Sequence, residues 1–103
     1  MLIILSKSLI GENYNSVLNL AANLAEKGDK LAVLHIQDAC LGATSSEYCA
    51  RFLESKIDAY ALKADIEAQG LTEKLCFNVK TIDYRQWVSL LIDEHDKTVS
   101  WTS

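Results

Sequence analysis

Three residue types that can do chemistry lie close together in the stretch HIQDACLGATSSE, residues 35–47. His35, Asp38 and Cys40 follow an apolar run that predicts a β-strand, and Thr44 precedes a helical pattern. A cysteine at the entrance to a helix can have a lowered pKa, because the helix dipole stabilises the thiolate, and a thiolate can carry a persulfide. Cys40 is therefore a candidate persulfide carrier.

The same residues also have a purely structural interpretation. A free cysteine packs in protein interiors as a small hydrophobe. His35 shares a strand face with Val33, and a lone histidine on such a face is more often structural than catalytic. The sequence places no general base beside Cys40, so both interpretations of this thiol stay open.

Other catalytic or ligand-binding arrangements find little support. The first predicted loop, Ser6 to Tyr14, contains a single glycine, whereas a phosphate cradle needs several; anion binding there is the weakest alternative. His95 is far from any Gly-x-Ser-x-Gly elbow, so no Ser/His/Asp triad can be assembled. No group of residues has metal-ligand spacing. We expect no metal and no cofactor.

The three cysteines, Cys40, Cys49 and Cys76, are odd in number and contain no C-x-x-C pair, so we expect reduced thiols. Cys49 lies on the apolar face of a predicted helix, and Cys76 lies between two apolar residues. Both are expected to pack in the core. The apolar opening MLIILS has no basic leader or cleavage site, and no apolar run approaches the roughly 20 residues of a membrane-spanning helix. We therefore place the protein in the cytoplasm.

Composition limits the size and the partners of the fold. The chain has 103 residues, of which 50% are hydrophobic and 23% charged, and no proline. This is typical of one globular domain over residues 1–103. With a net charge of −4 the chain lacks the excess of positive charge that binds a phosphate backbone, which argues against direct nucleic-acid binding.

Apolar runs of strand length alternate with amphipathic helical windows, and this alternation predicts βαβ units. Strands are expected at 2–5, at KLAVLHI, at 57–62, at FNVKTID and at KTVSW. Helices are expected over 15–27, after a Thr44-x-x-Glu47 capping box, over 63–69 and after Asp83. Gly28 and Gly70 are expected to stop the first and third helices. KLAVLHI should be a central strand, and Phe77, Val79 and Thr81 should share one strand face.

Five strands and four helices in strict alternation predict an α/β three-layer sandwich of flavodoxin-like form, with a five-stranded, mostly parallel sheet. Right-handed crossovers leave few strand orders, of which 2-1-3-4-5 is the commonest at this size. Ligands bind such sheets at the carboxyl ends of the strands.

Large aromatic residues concentrate in the C-terminal region. Trp87 falls on the apolar stripe of the last predicted helix and is expected to pack in the core. Trp101 follows the fifth strand, in a position where aromatic anchors often serve subunit contacts. Together with Tyr84 they form a candidate interface.

Three motifs in order carry a family resemblance. They are MLIILSKS at the N-terminus, YALKADIEAQGL at 60–71 and TIDYRQWVSLLIDEHDKTVSW at 81–101. The chain resembles the TusB/DsrH family over most of its length, most densely from residue 56 onward. The matching positions are Tyr60, Leu62, Asp65, Ile66, Ala68, Gly70, Leu71, Ile82, Asp83, Tyr84, Trp87, Val88, Leu90 and Trp101.

The resemblance implies a DsrE-like fold and one subunit of a heterohexamer with DsrE/TusD-like and DsrF/TusC-like chains. Such complexes pass persulfide sulfur to a downstream acceptor protein, for 2-thiolation of the tRNA wobble uridine or for dissimilatory sulfur oxidation. The main sulfur-carrying cysteine belongs to the sister TusD/DsrE chain, at the strand end that opens the third helix. Here Ala61 and Leu62 occupy that place, which implies an accessory subunit. The family more often has an aliphatic residue at the position of Cys40.

Overall fold

The computed structural model describes residues 1–6, 12–28, 30–54, 57–94 and 98–101. Its strands are β1 Leu2–Leu5, β2 Ala32–His35, β3 Asp58–Leu62, β4 Val79–Ile82 and β5 Thr98–Trp101. Its α-helices are α1 Glu12–Glu26, α2 Ser46–Glu54, α3 Lys63–Ala68 and α4 Tyr84–Ser89, the last continuing into a π-helical turn over Leu90–Glu94. Two 3-10 segments cover Gln37–Thr44 and Thr72–Lys74.

The strands form one sheet in the order β4-β3-β2-β1-β5, and every neighbouring pair is parallel. The predicted α/β architecture with a parallel sheet is confirmed, but the predicted order 2-1-3-4-5 is wrong. All four residues of β2 are buried, as a central strand requires. Lys80 and Thr81 of β4 are exposed, as suits an edge strand.

The winding of the chain explains why helices cover both faces of the sheet. From β1 to β4 the chain always steps in one direction, so right-handed crossovers place α1, α2 and α3 on one face. Between β4 and β5 the chain returns past β1, which places α4 on the opposite face. Alternate residues of β1 accordingly enter two different apolar clusters. The first cluster includes Ile3, Leu5, Ala21, Phe52 and Ile66; the second includes Leu2, Ile4, Leu34, Ile82 and Leu90.

Local signals mark most helix ends correctly. Gly28 follows α1 with φ of 89° and Gly70 follows α3 with φ of 67°, so both glycines adopt the left-handed conformation that ends a helix. Asp83 begins α4 with a capping box: its Oδ1 accepts from the Gln86 N–H at 2.8 Å, and its own N–H donates to Gln86 Oε1 at 2.9 Å.

Two local predictions are wrong. Thr44 does not cap α2, because it ends the 3-10 segment and its hydroxyl donates to the Leu41 carbonyl at 2.7 Å. Phe77 does not belong to β4; it lies in the turn before the strand and is 91% exposed. Val79 and Thr81 are two residues apart in β4 and so share a strand face as predicted, but only Val79 is buried, whereas Thr81 is exposed.

The prediction of three reduced thiols is also wrong. A disulfide joins Cys49 of α2 to Cys76 of the segment before β4, with the two Cα atoms 6.4 Å apart. Cys40 remains a free, buried thiol. The pair is 27 residues apart in sequence, and only the packing of α2 beside the β3–β4 connection brings its members together.

Candidate functional site at the strand ends

His35 ends β2 and is completely buried. Its Nδ1 lies 2.9 Å from the Tyr60 carbonyl oxygen, and because a carbonyl only accepts, Nδ1 carries the hydrogen. Its ring meets that of Phe52 edge-on, with centroids 5.6 Å apart. Burial lowers the pKa of His35 to about 4, although the hydrogen bond to Tyr60 opposes this shift. At neutral pH His35 is an uncharged core residue.

Cys40 lies within the 3-10 segment and not at the entrance to an α-helix. Its side chain is completely buried, and its thiol donates to the His35 carbonyl oxygen at 3.6 Å. Burial, reinforced by the negative charges of Asp65 and Asp38, raises the pKa of Cys40 to about 12. Of the two interpretations left open by the sequence, the raised pKa and the burial of Cys40 favour a packed core cysteine over a thiolate at a helix entrance. A thiol that stays protonated at neutral pH is a poor nucleophile.

The β3–α3 junction, where a sister chain carries its working cysteine according to the family resemblance, contains no reactive group. Ala61 is 0% exposed and Leu62 is 3% exposed. The helix begins at Lys63, directly after the strand, and no side chain caps it. This junction is formed by packing residues alone.

Asp65 of α3 and Gln69 just after this helix hold the neighbouring strand end in place. Gln37, which follows β2, has φ of 51°, a conformation that is uncommon for a residue other than glycine. Its N–H donates to Asp65 Oδ2 at 2.7 Å, and its carbonyl accepts from Gln69 Nε2 at 2.8 Å. We call these three residues the α3 clasp.

Sequence reasoning missed the α3 clasp. Asp65 and Gln69 are four residues apart, so their shared helix side could have been noticed. Their common partner lies about 30 residues earlier in the chain, and nothing in the sequence points to it. Asp38, by contrast, was correctly placed near Cys40, but it is exposed and acts on the thiol only through its charge.

Two of the three candidate interface residues, Tyr84 and Trp87, lie side by side on α4. Tyr84 and Trp87 stack with ring centroids 6.2 Å apart and an interplanar angle of 24°. Trp87 packs against the second apolar cluster, as predicted, and its buried Nε1 has no hydrogen-bond partner among the described residues. The side chain of Trp101 lies outside what the structure describes.

An exposed apolar row runs along α4 and its π-helical turn. It consists of Tyr84, Val88 and Ile92, which are 61%, 51% and 75% exposed. Residues four apart lie on one side of a helix, so these side chains form a continuous surface, which we call the α4 row. This surface is a candidate for contact with another protein.

The remaining predictions concern the first loop, His95, metal binding and membrane insertion. Residues 7–11 of the predicted Ser6 to Tyr14 loop, and His95, lie outside the described residues. Among those described, no three His, Cys, Asp or Glu side chains are grouped so that they could hold a metal ion. No helix in the same residues has the length and apolarity needed to cross a bilayer.

Comparison with known proteins agrees with this fold. The model of the family described as DsrH like protein matches residues 13–98. Protein TusB of Pectobacterium parmentieri is 33% identical over 95 residues, covering 91% of this chain and 97% of its own. Protein TusB of Serratia proteamaculans is 34% identical over 102 residues, covering 98% and 100%.

Two solved structures have the same fold. The ychN protein of E. coli superposes with a TM-score of 0.79 over 97% of each chain, at 15% identity. A conserved protein of unknown function from Bacteroides thetaiotaomicron gives a TM-score of 0.75 over 97% of this chain and 93% of its own, also at 15% identity. With the family match and the TusB relatives, the conclusion is that the chain belongs to the TusB/DsrH family of sulfur-relay subunits.

Proposed function

We propose that the protein is an accessory, non-catalytic subunit of a cytoplasmic persulfide sulfur-relay complex that serves 2-thiolation of the tRNA wobble uridine. Its kinship with proteins named TusB supports the pathway. The observation that carries the accessory role is the β3–α3 junction, where Ala61 and Leu62 are buried. A subunit without a thiol at that place contributes to the relay through assembly.

The state of Cys40 supports the same role. A persulfide carrier must expose a thiolate to its donor and acceptor proteins. Cys40 is 0% exposed and its pKa is raised to about 12. Transfer of sulfur through Cys40 would require both exposure and deprotonation of this thiol.

The partners we propose are one DsrE/TusD-like chain and one DsrF/TusC-like chain, in a hexamer that delivers sulfur to a downstream acceptor protein. The α4 row supports this assembly, because three large apolar side chains are exposed on one side of one helix. Tyr84 extends this surface toward Trp87.

Co-expression with the two sister chains tests the assembly. We expect all three to elute together in size-exclusion chromatography at the mass of a heterohexamer, measured by light scattering. The control is the same protein purified alone and run at equal concentration. A protein that stays monomeric in the presence of both sister chains would contradict the proposal.

Loss of the protein from its host tests the pathway. Mass spectrometry of digested tRNA should show a large loss of wobble 2-thiouridine, restored by the wild-type chain and equally by Cys40→Ala. Restoration by the wild type alone would assign the sulfur carrier to Cys40. Unchanged tRNA thiolation together with impaired sulfur oxidation would assign the chain to the DsrH-type pathway.

A further inference from the structure

Cys49 and Cys76 lie outside the strand-end site and outside the proposed relay role. Cys49 belongs to α2, and Cys76 belongs to the segment 71–78 that leads into β4. We propose that they form a reversible dithiol–disulfide site that exchanges with low-molecular-weight thiols and disulfides. Its oxidised form fastens segment 71–78 to α2. This inference does not depend on the proposed function.

The surroundings of the pair suit both oxidation states. The sulfur of Cys49 lies 3.5 Å from the Ala43 carbonyl oxygen, and that of Cys76 lies 3.6 Å from the Ser45 carbonyl oxygen. After reduction, each S–H therefore has an acceptor already in place. The disulfide is not required to satisfy any neighbouring polar group.

Other hydrogen bonds keep the two cysteines near each other when the disulfide opens. The Cys76 N–H donates to the Ala43 carbonyl at 3.1 Å, and Asn78 Nδ2 donates to the Cys49 carbonyl at 2.8 Å. Because these bonds involve no sulfur atom, they still form in the reduced protein whenever segment 71–78 is closed. The reduced thiols stay within reach, which is what reversible closure requires.

The two cysteines differ in how far solvent can reach them. Cys49 is 4% exposed, whereas Cys76 is half-buried. Both line an open groove of about 380 Å³ whose walls include the exposed side chains of Leu53 and Phe77. Lys74 is the charged residue of this groove, and a cation there favours the approach of a thiolate. External thiols therefore reach Cys76 first.

The small disulfide RSSR is the only oxidant that the exchange reaction needs. The Cys76 thiolate attacks one sulfur of a small disulfide RSSR, forms a mixed disulfide and releases RS⁻, which takes up the thiol proton. The Cys49 thiolate then attacks the Cys76 sulfur and releases a second RS⁻, which takes up the second proton. Two electrons pass from the cysteine pair to RSSR, giving one protein disulfide and two RSH. Excess RSH reverses both steps.

Segment 71–78 is the part of the fold that the exchange controls. It contains the short 3-10 turn Thr72–Lys74, whose residues are all exposed. The disulfide joins residues 27 positions apart, and closing this loop restricts opening of the segment. Reduction should therefore increase cleavage by trypsin after Lys74 by at least about tenfold, because local opening exposes the backbone.

Full-length protein equilibrated in glutathione buffers of defined ratio tests the proposal. Thiols are trapped by alkylation and assigned by peptide mass spectrometry, and trypsin cleavage after Lys74 is timed in each buffer. We expect Cys49 and Cys76 to change state together and reversibly, with slow cleavage when oxidised and fast cleavage when reduced. Cys40→Ala should behave like the wild type, and Cys76→Ser should be cleaved quickly in every buffer.

Several results would overturn the proposal. The first is that the two thiols are alkylated independently in every buffer, and the second is a disulfide that includes Cys40 or a second chain. The others are a disulfide that resists reduction in the folded protein, and a rate of trypsin cleavage after Lys74 that is the same in every redox buffer. If Cys76→Ser does not fold, the alkylation and cleavage of the wild-type chain still decide between these results.

Discussion

A histidine buried within a sheet makes this fold sensitive to acid. The pKa of His35 is about 4 in the folded protein, against 6.5 as its ordinary value. Between these pH values the unfolded chain binds a proton that the folded chain does not. The stabilising contribution of neutral His35 is therefore fully present above pH 6.5 and is lost as pH falls toward 4, by about 3 kcal/mol in total.

Urea unfolding at about pH 7, 5.5 and 4.5 measures this loss. His35→Asn is the matched variant, because its amide can still donate to the Tyr60 carbonyl but cannot titrate. We expect the variant to be less stable at neutral pH and to lose less stability on acidification. Equal slopes in the two proteins would show that His35 is not the titrating group.

Cys40 should be chemically silent in the folded protein. With a pKa of about 12, almost none of this thiol is ionised at about pH 8. Under native conditions we expect iodoacetamide to label Cys40 only at the rate at which the protein unfolds, and in concentrated urea within minutes. Rapid native labelling would show that the thiol is accessible and reactive, and would restore it as a sulfur carrier.

At the residue scale the sequence pointed to side chains that could react but not to their surroundings. It singled out His35, which ends β2, and Cys40, which lies in the 3-10 segment after β2. Burial sets the direction of both pKa shifts, and for Cys40 the charge of Asp65 adds to it. Asp65 is 25 residues from Cys40 in the sequence. Neither of these influences can be calculated from spacing.

Among the helices, α3 contributes Asp65 to the α3 clasp, and Gln69 directly follows the helix. Asp65→Ala removes the acceptor of the Gln37 N–H, whose hydrogen bond is 2.7 Å long, and should lower the free energy of unfolding by about 1 kcal/mol. It should also lower the pKa of Cys40, because a nearby negative charge is lost. Thermal unfolding measures the stability, and the ¹³C chemical shift of Cys40 Cβ, followed over alkaline pH, measures the pKa of the thiol in the folded protein.

Glu67→Ala is the control for this prediction. Glu67 lies on the same helix, and its ion pair with Lys63 is 3.9 Å long between side chains that are 59% and 61% exposed. Such pairs contribute little. If Asp65→Ala and Glu67→Ala have equal effects on stability and on Cys40, the α3 clasp has no particular role.

Elements with local signals were predictable, and their arrangement was not. β1, the ends of α1 and α3, and the Asp83 cap depend on residues within one turn of each other. Strand order depends on pairing between distant segments, and both orders obey the right-handed rule. One signal was available: the near-continuous apolar run that contains β2 suits a central strand, whereas the order 2-1-3-4-5 places β2 at an edge, and Lys80 of β4 suits an edge.

For the whole molecule, the α4 row should control association. Val88→Asp and Ile92→Asp place charges on side chains that are 51% and 75% exposed, so the isolated protein should keep its melting temperature within about 3 °C. Because the same charges would be buried between subunits, co-purification with the sister chains should fall at least about tenfold.

Leu20→Asp is the matched control for the α4 row. Leu20 is 46% exposed and lies on α1, which covers the other face of the sheet. We expect this variant to co-purify normally. If all three variants assemble like the wild type, the α4 row is not the contact surface; if only Leu20→Asp fails, the interface lies on the opposite face.

The pairing of β5 with β1 determines when the edge of the first strand is covered during synthesis. β1, β2 and β3 each pair with the next strand in sequence, so the first four strands can associate in the order in which they are synthesised. β5 pairs with β1, where Leu2 lies opposite Thr98. Until β5 arrives, one edge of the fully apolar strand Leu2–Leu5 has no partner within the described fold. An unpaired apolar edge promotes aggregation, so the last strand protects the first from other chains.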